Sequence, residues 1–302
     1  MKKLVLVAIL LNAVVSLKAQ QDILVSQYMF NHLLVNPGYA GSKEYMQATL
    51  LYRKQWTGWA GAPETQIATL HGPLGLTNFG WGAMISHDKI GVQDRTDAYA
   101  NAAYHIKLKE GLKLGLGIRA GGAYYNYSTP SIVWDANDPA FNENLTRFVP
   151  AVGAGAYLYS RNLYAGLSFT SVDPEKTIGS PDANAPNRVR HYFGAMGYAW
   201  EINSQVVLKP SVLIKYVVNA PVEADFNLNV LLAQTIWVGA SYRTGDAIVA
   251  MVEFQLSRKL KLGYAYDYTI TNVSDFSSGS HEIMLGYDFG YDIQKIKTPR
   301  YF

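Results

Sequence analysis

The chain has 302 residues and a formal net charge of +3, and only 16% of it is charged, against ~25% in ordinary soluble domains. The near-neutral charge and the lack of a Lys/Arg cluster exclude a nucleic-acid partner. With no Cys there is neither a disulfide framework nor a thiolate metal site. Aromatic residues reach 13%, with 22 Tyr and 6 Trp, which suits a β-rich chain in or beside a membrane.

Residues 1–19 read as a secretory signal: Lys2 and Lys3 start it, Leu4 to Val15 form the apolar middle, and Leu17-Lys18-Ala19 precedes the cleavage point at Gln20. The apolar run is shorter than the ~20 residues a bilayer-spanning helix needs, and no later stretch reaches that length. Residues 20–44 form an N-terminal segment placed inside a barrel or against its periplasmic mouth, as a plug. In it Ser26 is expected to cap a short helix from Gln27 to Val35, with Met29, Leu33 and Phe30, Leu34 on neighbouring apolar positions. Asn36-Pro37 then ends the helix, because the residue before proline is pushed out of the helical region.

From Met46 the chain alternates with period two. Leu112, Leu114, Leu116, Ile118 and Ala120 stand against Lys113, Gly115, Gly117, Arg119 and Gly121. Phe226, Leu228, Val230 and Leu232 stand against Asp225, Asn227 and Asn229; Ala250, Val252, Phe254 and Leu256 stand against Met251, Glu253, Gln255 and Ser257. The expected strands are 45–56, 64–71, 78–87, 95–108, 112–125, 148–159, 162–171, 189–202, 206–218, 223–233, 236–243, 247–257, 260–270 and 280–290. That makes about fourteen, long enough for tilted strands crossing the hydrocarbon layer; weak alternation in the second and eighth leaves twelve or sixteen open.

The fold class is therefore an all-β transmembrane antiparallel barrel over residues 45–291, with a periplasmic tail at 292–302. Tight turns at 109–111, 160–161, 203–205, 233–235 and 258–259 alternate with longer connections at 57–63, 87–94, 126–147, 172–188 and 271–279. That sorting fits short periplasmic turns and long outer loops, with both termini in the periplasm. Tyr264, Tyr266 and Tyr268 are expected in an outward aromatic girdle, and Pro210 is expected to mark a bulge. Leu116→Arg should then disrupt assembly in lipid, whereas Gly117→Arg, facing the lumen, should be better tolerated. Gly286, Phe289 and Tyr291 carry the glycine-x-x-aromatic-x-aromatic spacing of a barrel-targeting signal, with Met284 where that signal has a polar residue.

The residues offer no catalytic, cofactor-binding or metal site. His32, His71, His87, His105, His191 and His281 lie at no metal-ligand spacing. Asp275, Ser277, Ser278 and His281 lack a nucleophile elbow, and Gly153-x-Gly155 continues as strand instead of opening a phosphate loop. Arg53, Arg119, Asp225, Glu253 and Asp267 are expected to line a wet lumen. Candidate plug or periplasmic docking residues are Tyr28, Phe30, Asn31, Asn36, Pro37 and Tyr39; candidate outer partner-loop residues are Trp134, Asp135 and Phe141.

Ser26-Gln27-Tyr28-Met29-Phe30-Asn31 and Asn36-Pro37-Gly38-Tyr39-Ala40-Gly41 resemble the opening of the PorP/SprF outer-membrane proteins, with Gly38 where alanine is commoner. Arg53 to Gly58, Gly61 to Gln66, Gly72-Pro73-Leu74, Asp88 to Gly91, Gly279 to Ile283 and Pro299-Arg300-Tyr301-Phe302 continue the resemblance to the last residue. It implies a fourteen-stranded, non-enzymatic barrel of the type IX secretion system. Its implied partners are outer-membrane lipid, the machinery's periplasmic lipoprotein ring or peptidoglycan-anchored component, and a secreted cargo or gliding-linked adhesin. The competing reading is a plugged channel for a small hydrophobic solute, since hydrophobe transporters share an Asn-Pro-small motif like Asn36-Pro37-Gly38.

Overall fold

A computed structural model describes residues 25–109, 111–128, 145–170, 190–217, 220–290 and 301. The strands are β1 Met46–Lys54, β2 Glu64–Pro73, β3 Phe79–Ile90, β4 Gln93–Lys109, β5 Leu112–Tyr127, β6 Leu145–Tyr159 and β7 Leu163–Phe169. They continue as β8 (His191–Tyr198, extended by Trp200–Glu201), β9 Val206–Val217, β10 Glu223–Leu232, β11 Ile236–Arg243, β12 Ala247–Gln255, β13 Leu260–Thr269 and β14 Ser280–Phe289. Each pairs antiparallel with its sequence neighbours, and β1 pairs with β14 through Met46 opposite Phe289 to Lys54 opposite His281. The sheet is thus a closed fourteen-stranded barrel with no free edge, which is the condition for crossing lipid with strands. No helix among the described residues is long and apolar enough to cross a membrane.

The two faces sort as the alternation predicts. Leu116, Ile118, Phe226, Leu228 and Ile248 point outward and are about half exposed, while Arg119, Asp225, Asn227, Asn229 and Met251 are buried inside. Outward aromatics form two bands: Phe79, Tyr104, Tyr198, Trp200, Tyr287 and Phe289 at the end where β1 begins, and Tyr52, Tyr124, Tyr192, Tyr216, Tyr242 and Tyr268 at the opposite end. An apolar belt between two aromatic girdles is the surface a bilayer selects. The first of these ends is the terminal end and the second the distal end.

Two expectations about the strands are corrected. Residues 87–94 are not a loop: β3 runs to Ile90, β4 starts at Gln93, and Gly91 turns the chain at φ 58°. Alternation persists through Ser86 and Asp88, whose side chains point inward. Pro210 causes no register shift in β9, since Leu208 faces Trp200 and Ser211 faces Gly197 in the same register. Its missing N–H only interrupts the ladder to β8 around Ala199, and the irregularity that does shift register lies between Lys107 and Lys109 in β4.

The expected helix at 27–35 is replaced by three single 3₁₀ turns, Tyr28–Phe30, His32–Leu34 and Pro37–Tyr39. Ser26 caps none of them. A helix would satisfy its own backbone groups, whereas here strand side chains take them. Arg119 donates to the carbonyls of Leu33 and Leu34, Ser168 donates to Val35 O at 2.6 Å, and the His105 ring pairs with Ala40 O at 2.8 Å. The segment therefore lies in the lumen with its backbone bonded to the wall.

Candidate functional site

The luminal segment runs from the distal end to the terminal end, and each stretch has its own seat. At the distal end Arg53, Arg243, Asp267, Glu282 and Asp225 converge, all 3% exposed or less. They come from the distal tips of β1, β11, β13, β14 and β10, where inward positions of neighbouring strands meet. Arg53 pairs with Asp267 at 2.8 Å and Glu282 at 3.2 Å; Arg243 pairs with Asp225 at 3.0 Å, Asp246 at 3.2 Å and Asp267 at 3.4 Å.

Ser26 sits among them. Its hydroxyl donates to Asp267 and accepts from Arg53 Nη1 at 3.0 Å and Arg243 Nη2 at 3.3 Å. The N–H groups of Ser26 and Gln27 each donate to the Glu282 carboxylate at 2.8 Å. Such charges are costly to bury unless paired, and each of the five has an opposite charge within 3.2 Å.

Below the clamp, Asn227 Nδ2 donates to the Tyr28 hydroxyl at 2.6 Å, and Asn31 Nδ2 donates to Thr69 Oγ1 at 2.7 Å. His32 lies 4.4 to 5.7 Å, centroid to centroid, from the rings of Tyr164, Tyr39 and Tyr157. Neither of its ring nitrogens has a hydrogen-bond partner among the described residues.

The Asn36-Pro37-Gly38 turn fits a slot made by inward glycines of β5, β6 and β7. Asn36 accepts from Gly38 N–H at 2.8 Å and donates to Ala156 O at 3.0 Å and Leu167 O at 3.3 Å. A Cβ on Gly117 would stand 2.5 Å from Pro37 O, and one on Gly166 2.7 Å from Asn36 Nδ2. Gly38 itself admits no alanine here, because its Cβ would lie 2.7 Å from Gly115 O. At the terminal end Gly41, at φ 74°, packs on the backbone of Gly72 and Gly80.

Of the sequence-derived candidates, Tyr28, Asn31, Asn36, Pro37 and Tyr39 are buried in the lumen, and Phe30 is partly buried 6.3 Å from Trp237. Trp134, Asp135 and Phe141 lie outside the described residues. Arg53, Arg119, Asp225, Glu253 and Asp267 do point inward and are 5% exposed or less; the first three and Asp267 pack around the segment, and Glu253 lines a cavity beside it. Sequence reasoning did not foresee the clamp, although opposite charges on inward positions of neighbouring strands were its visible signal. Among the described residues no group of three His, Asp or Glu side chains could hold a metal ion.

Cavities lie beside the segment at both ends among the described residues. The distal one is small, ≈ 60 Å³, with Val25, Ile67, Met84 and Leu213 among its walls. The terminal one is ≈ 440 Å³, and Phe30, Lys43, Trp237, Glu253, Lys261 and Tyr301 help to line it. Tyr301, from the C-terminal tail, is 8% exposed, and its carbonyl accepts from Lys209 Nζ at 3.3 Å. Burial raises its phenol pKa, with the Arg161 guanidinium opposing.

A family model described as type IX secretion system membrane protein PorP/SprF matches residues 17–287. The chain belongs to the PorP/SprF family.

Among solved structures, a monoaromatic hydrocarbon channel, CymD, is similar at TM-score 0.52 and 12% identity, covering 89% of this chain and 94% of that one. A FadL homologue of Pseudomonas aeruginosa gives 0.48 and 11%, covering 87% and 94%; Omp33 of Acinetobacter baumannii gives 0.48 and 10%, covering 82% and 100%. At such identities the likeness to CymD is one of fold. No curated protein matches the sequence. This PorP/SprF protein is therefore an outer-membrane barrel of a secretion-system family.

Several of the stretches that carry the PorP/SprF resemblance help to hold the luminal segment or the loops above it. Ser26 and Gln27 meet Arg53 and Glu282 in the clamp, Asn36 to Gly38 fill the glycine slot, and Gly41 meets Gly72. Gly279 joins the same set, because its carbonyl accepts from Thr57 N–H and ties two distal loops together.

Proposed function

We propose that this PorP/SprF barrel works as a docking and anchoring component of type IX secretion rather than as a solute channel. In this reading the terminal end, with its short turns and C-terminal tail, faces the periplasm. There it meets the machinery's lipoprotein ring or peptidoglycan-anchored component. The distal loops face outward, toward a cargo or adhesin in transit to the surface. The luminal segment acts as a plug.

The observation that carries this reading is the wall-bonded segment from Ser26 to Gly41, which occupies the lumen that a transported solute would need. A channel for hydrophobes needs a continuous apolar path, and here the inward face is crossed by the Arg53–Asp267–Arg243 cluster. The test is deletion of the gene, followed by assay of exported and surface-attached protein and by co-purification from membranes. Loss of at least one large cargo from the surface, with a secretion component recovered alongside the tagged barrel, is expected. Normal export and attachment of every large cargo would overturn the proposal.

A further inference from the structure

We infer that the terminal cavity is a peptide-binding site for an extended segment bearing an aromatic residue, and that Tyr301 occupies its seat when no partner does. This rests on the docking reading and names the chemistry of the partner. A volume of ≈ 440 Å³ lies within the usual range for ligand sites, ~300–1,000 Å³.

The seat is already described by the chain's own end. Tyr301 packs on Ala199, Val207 and Leu231, with Trp237 beside them. Its main-chain carbonyl is held by Lys209, a 1% exposed ammonium that lies 4.6 Å above the Trp237 ring and 5.0 Å above the Phe30 ring. A lysine gripping a backbone carbonyl between two aromatic faces matches a peptide main chain next to an aromatic side chain.

Beyond Tyr301 the cavity has two further polar groups. Lys43 and Glu253 line it and are 7% and 5% exposed, yet neither has a hydrogen bond or ion pair among the described residues. Lys261 is occupied by Asp288 at 2.9 Å, and Asp288 also accepts from Gln47 at 2.8 Å. Lys43 therefore stands ready to donate to a carbonyl or carboxylate, and Glu253 to accept from an amide or a basic side chain. Together they suit an extended peptide main chain next to its aromatic anchor. The cavity sits among the terminal turns at Gln234-Thr235 and Ser257-Arg258, so the site opens on the side assigned to the machinery.

The experiment uses the full-length chain in detergent micelles and a fluorescein-labelled peptide reproducing Lys297 to Phe302, followed by fluorescence anisotropy. Folding of each variant is checked by heat-modifiable gel mobility. Tyr301→Ala protein should bind the peptide saturably and at least tenfold more tightly than the native chain, whose own tail competes. Adding Trp237→Ala, or replacing the peptide's tyrosine by alanine, should weaken binding at least tenfold, and Glu253→Gln should weaken it severalfold. Absence of saturable binding to folded Tyr301→Ala protein, or equal binding with and without Trp237, would overturn the inference. If the deletion strain loses a cargo while no peptide binds, the cavity assignment fails and the docking reading stands. If the peptide binds while all export is normal, the reverse holds.

Discussion

Removing the Glu282 carboxylate tests whether the distal clamp holds the luminal segment. In Glu282→Ala, the buried N–H groups of Ser26 and Gln27 lose their acceptor, and Arg53 keeps only Asp267 as an ion-pair partner. A hydrogen bond to a charged group contributes about 1.5–3 kcal/mol. Breaking a buried ion pair by deleting one member costs about 3–5 kcal/mol. Because one carboxylate makes all these contacts, the two figures overlap, and about 3 kcal/mol is a conservative loss for the segment's local closing. At 1.4 kcal/mol per tenfold, amides at Ser26 and Gln27 should exchange on the order of 100-fold faster. Hydrogen–deuterium exchange of the barrel in micelles reads this directly, with the amides of β5 as internal control. Glu282→Gln keeps an acceptor and should fall between native and alanine. Exchange at residues 26–27 within threefold of native, or equal loosening of β5, would refute the clamp.

Other changes probe the two faces and the slot. Leu116→Arg places a charge on the lipid side, where Leu116 is 47% exposed to the surroundings; it should cost about 2–4 kcal/mol near the midplane and reduce assembly seen as heat-modifiable mobility. Gly117→Arg should spare the barrel but expel the Asn36-Pro37-Gly38 turn, since even a Cβ collides with Pro37. Limited proteolysis should then cut near residue 36, and a segment that stays protected would contradict the slot. His32→Phe removes two buried nitrogens without partners among the described residues and keeps the ring contacts. It should raise thermal stability by about 1 kcal/mol, and a lower melting temperature in micelles would mean that the imidazole is bonded after all.

The barrel was legible because lipid and lumen impose opposite chemistry on alternate residues. Leu116 and Gly117, or Phe226 and Asn227, declare their faces in the sequence alone. The same rule explains the misreading of 87–94. In a filled barrel the inward positions are charged, so a strand tip carrying Asp88, Arg95 and Asp97 has the composition of a loop. The helix expected at 27–35 failed for a related reason. Met29 and Leu33 do have helical spacing, but Arg119, Ser168 and His105 take over backbone carbonyls of the segment, and those partners come from strands far away in sequence. Local propensity could not register them.

The luminal bonds also bear on what could open this barrel. Arg119, Ser168, Asn36, Asn31 and Asn227 each tie the segment to the wall, at about 1 kcal/mol apiece in net terms. Together with the Glu282 clamp, these bonds oppose spontaneous release of the segment. A solute with no differential affinity for the open state could not shift that balance. The terminal end is different. There Lys209 makes a hydrogen bond to Tyr301, and in the cavity Lys43 and Glu253 make no hydrogen bond or ion pair among the described residues. A partner arriving at that end can gain contacts without first breaking the clamp, so binding is cheapest at the short turns beside Tyr301.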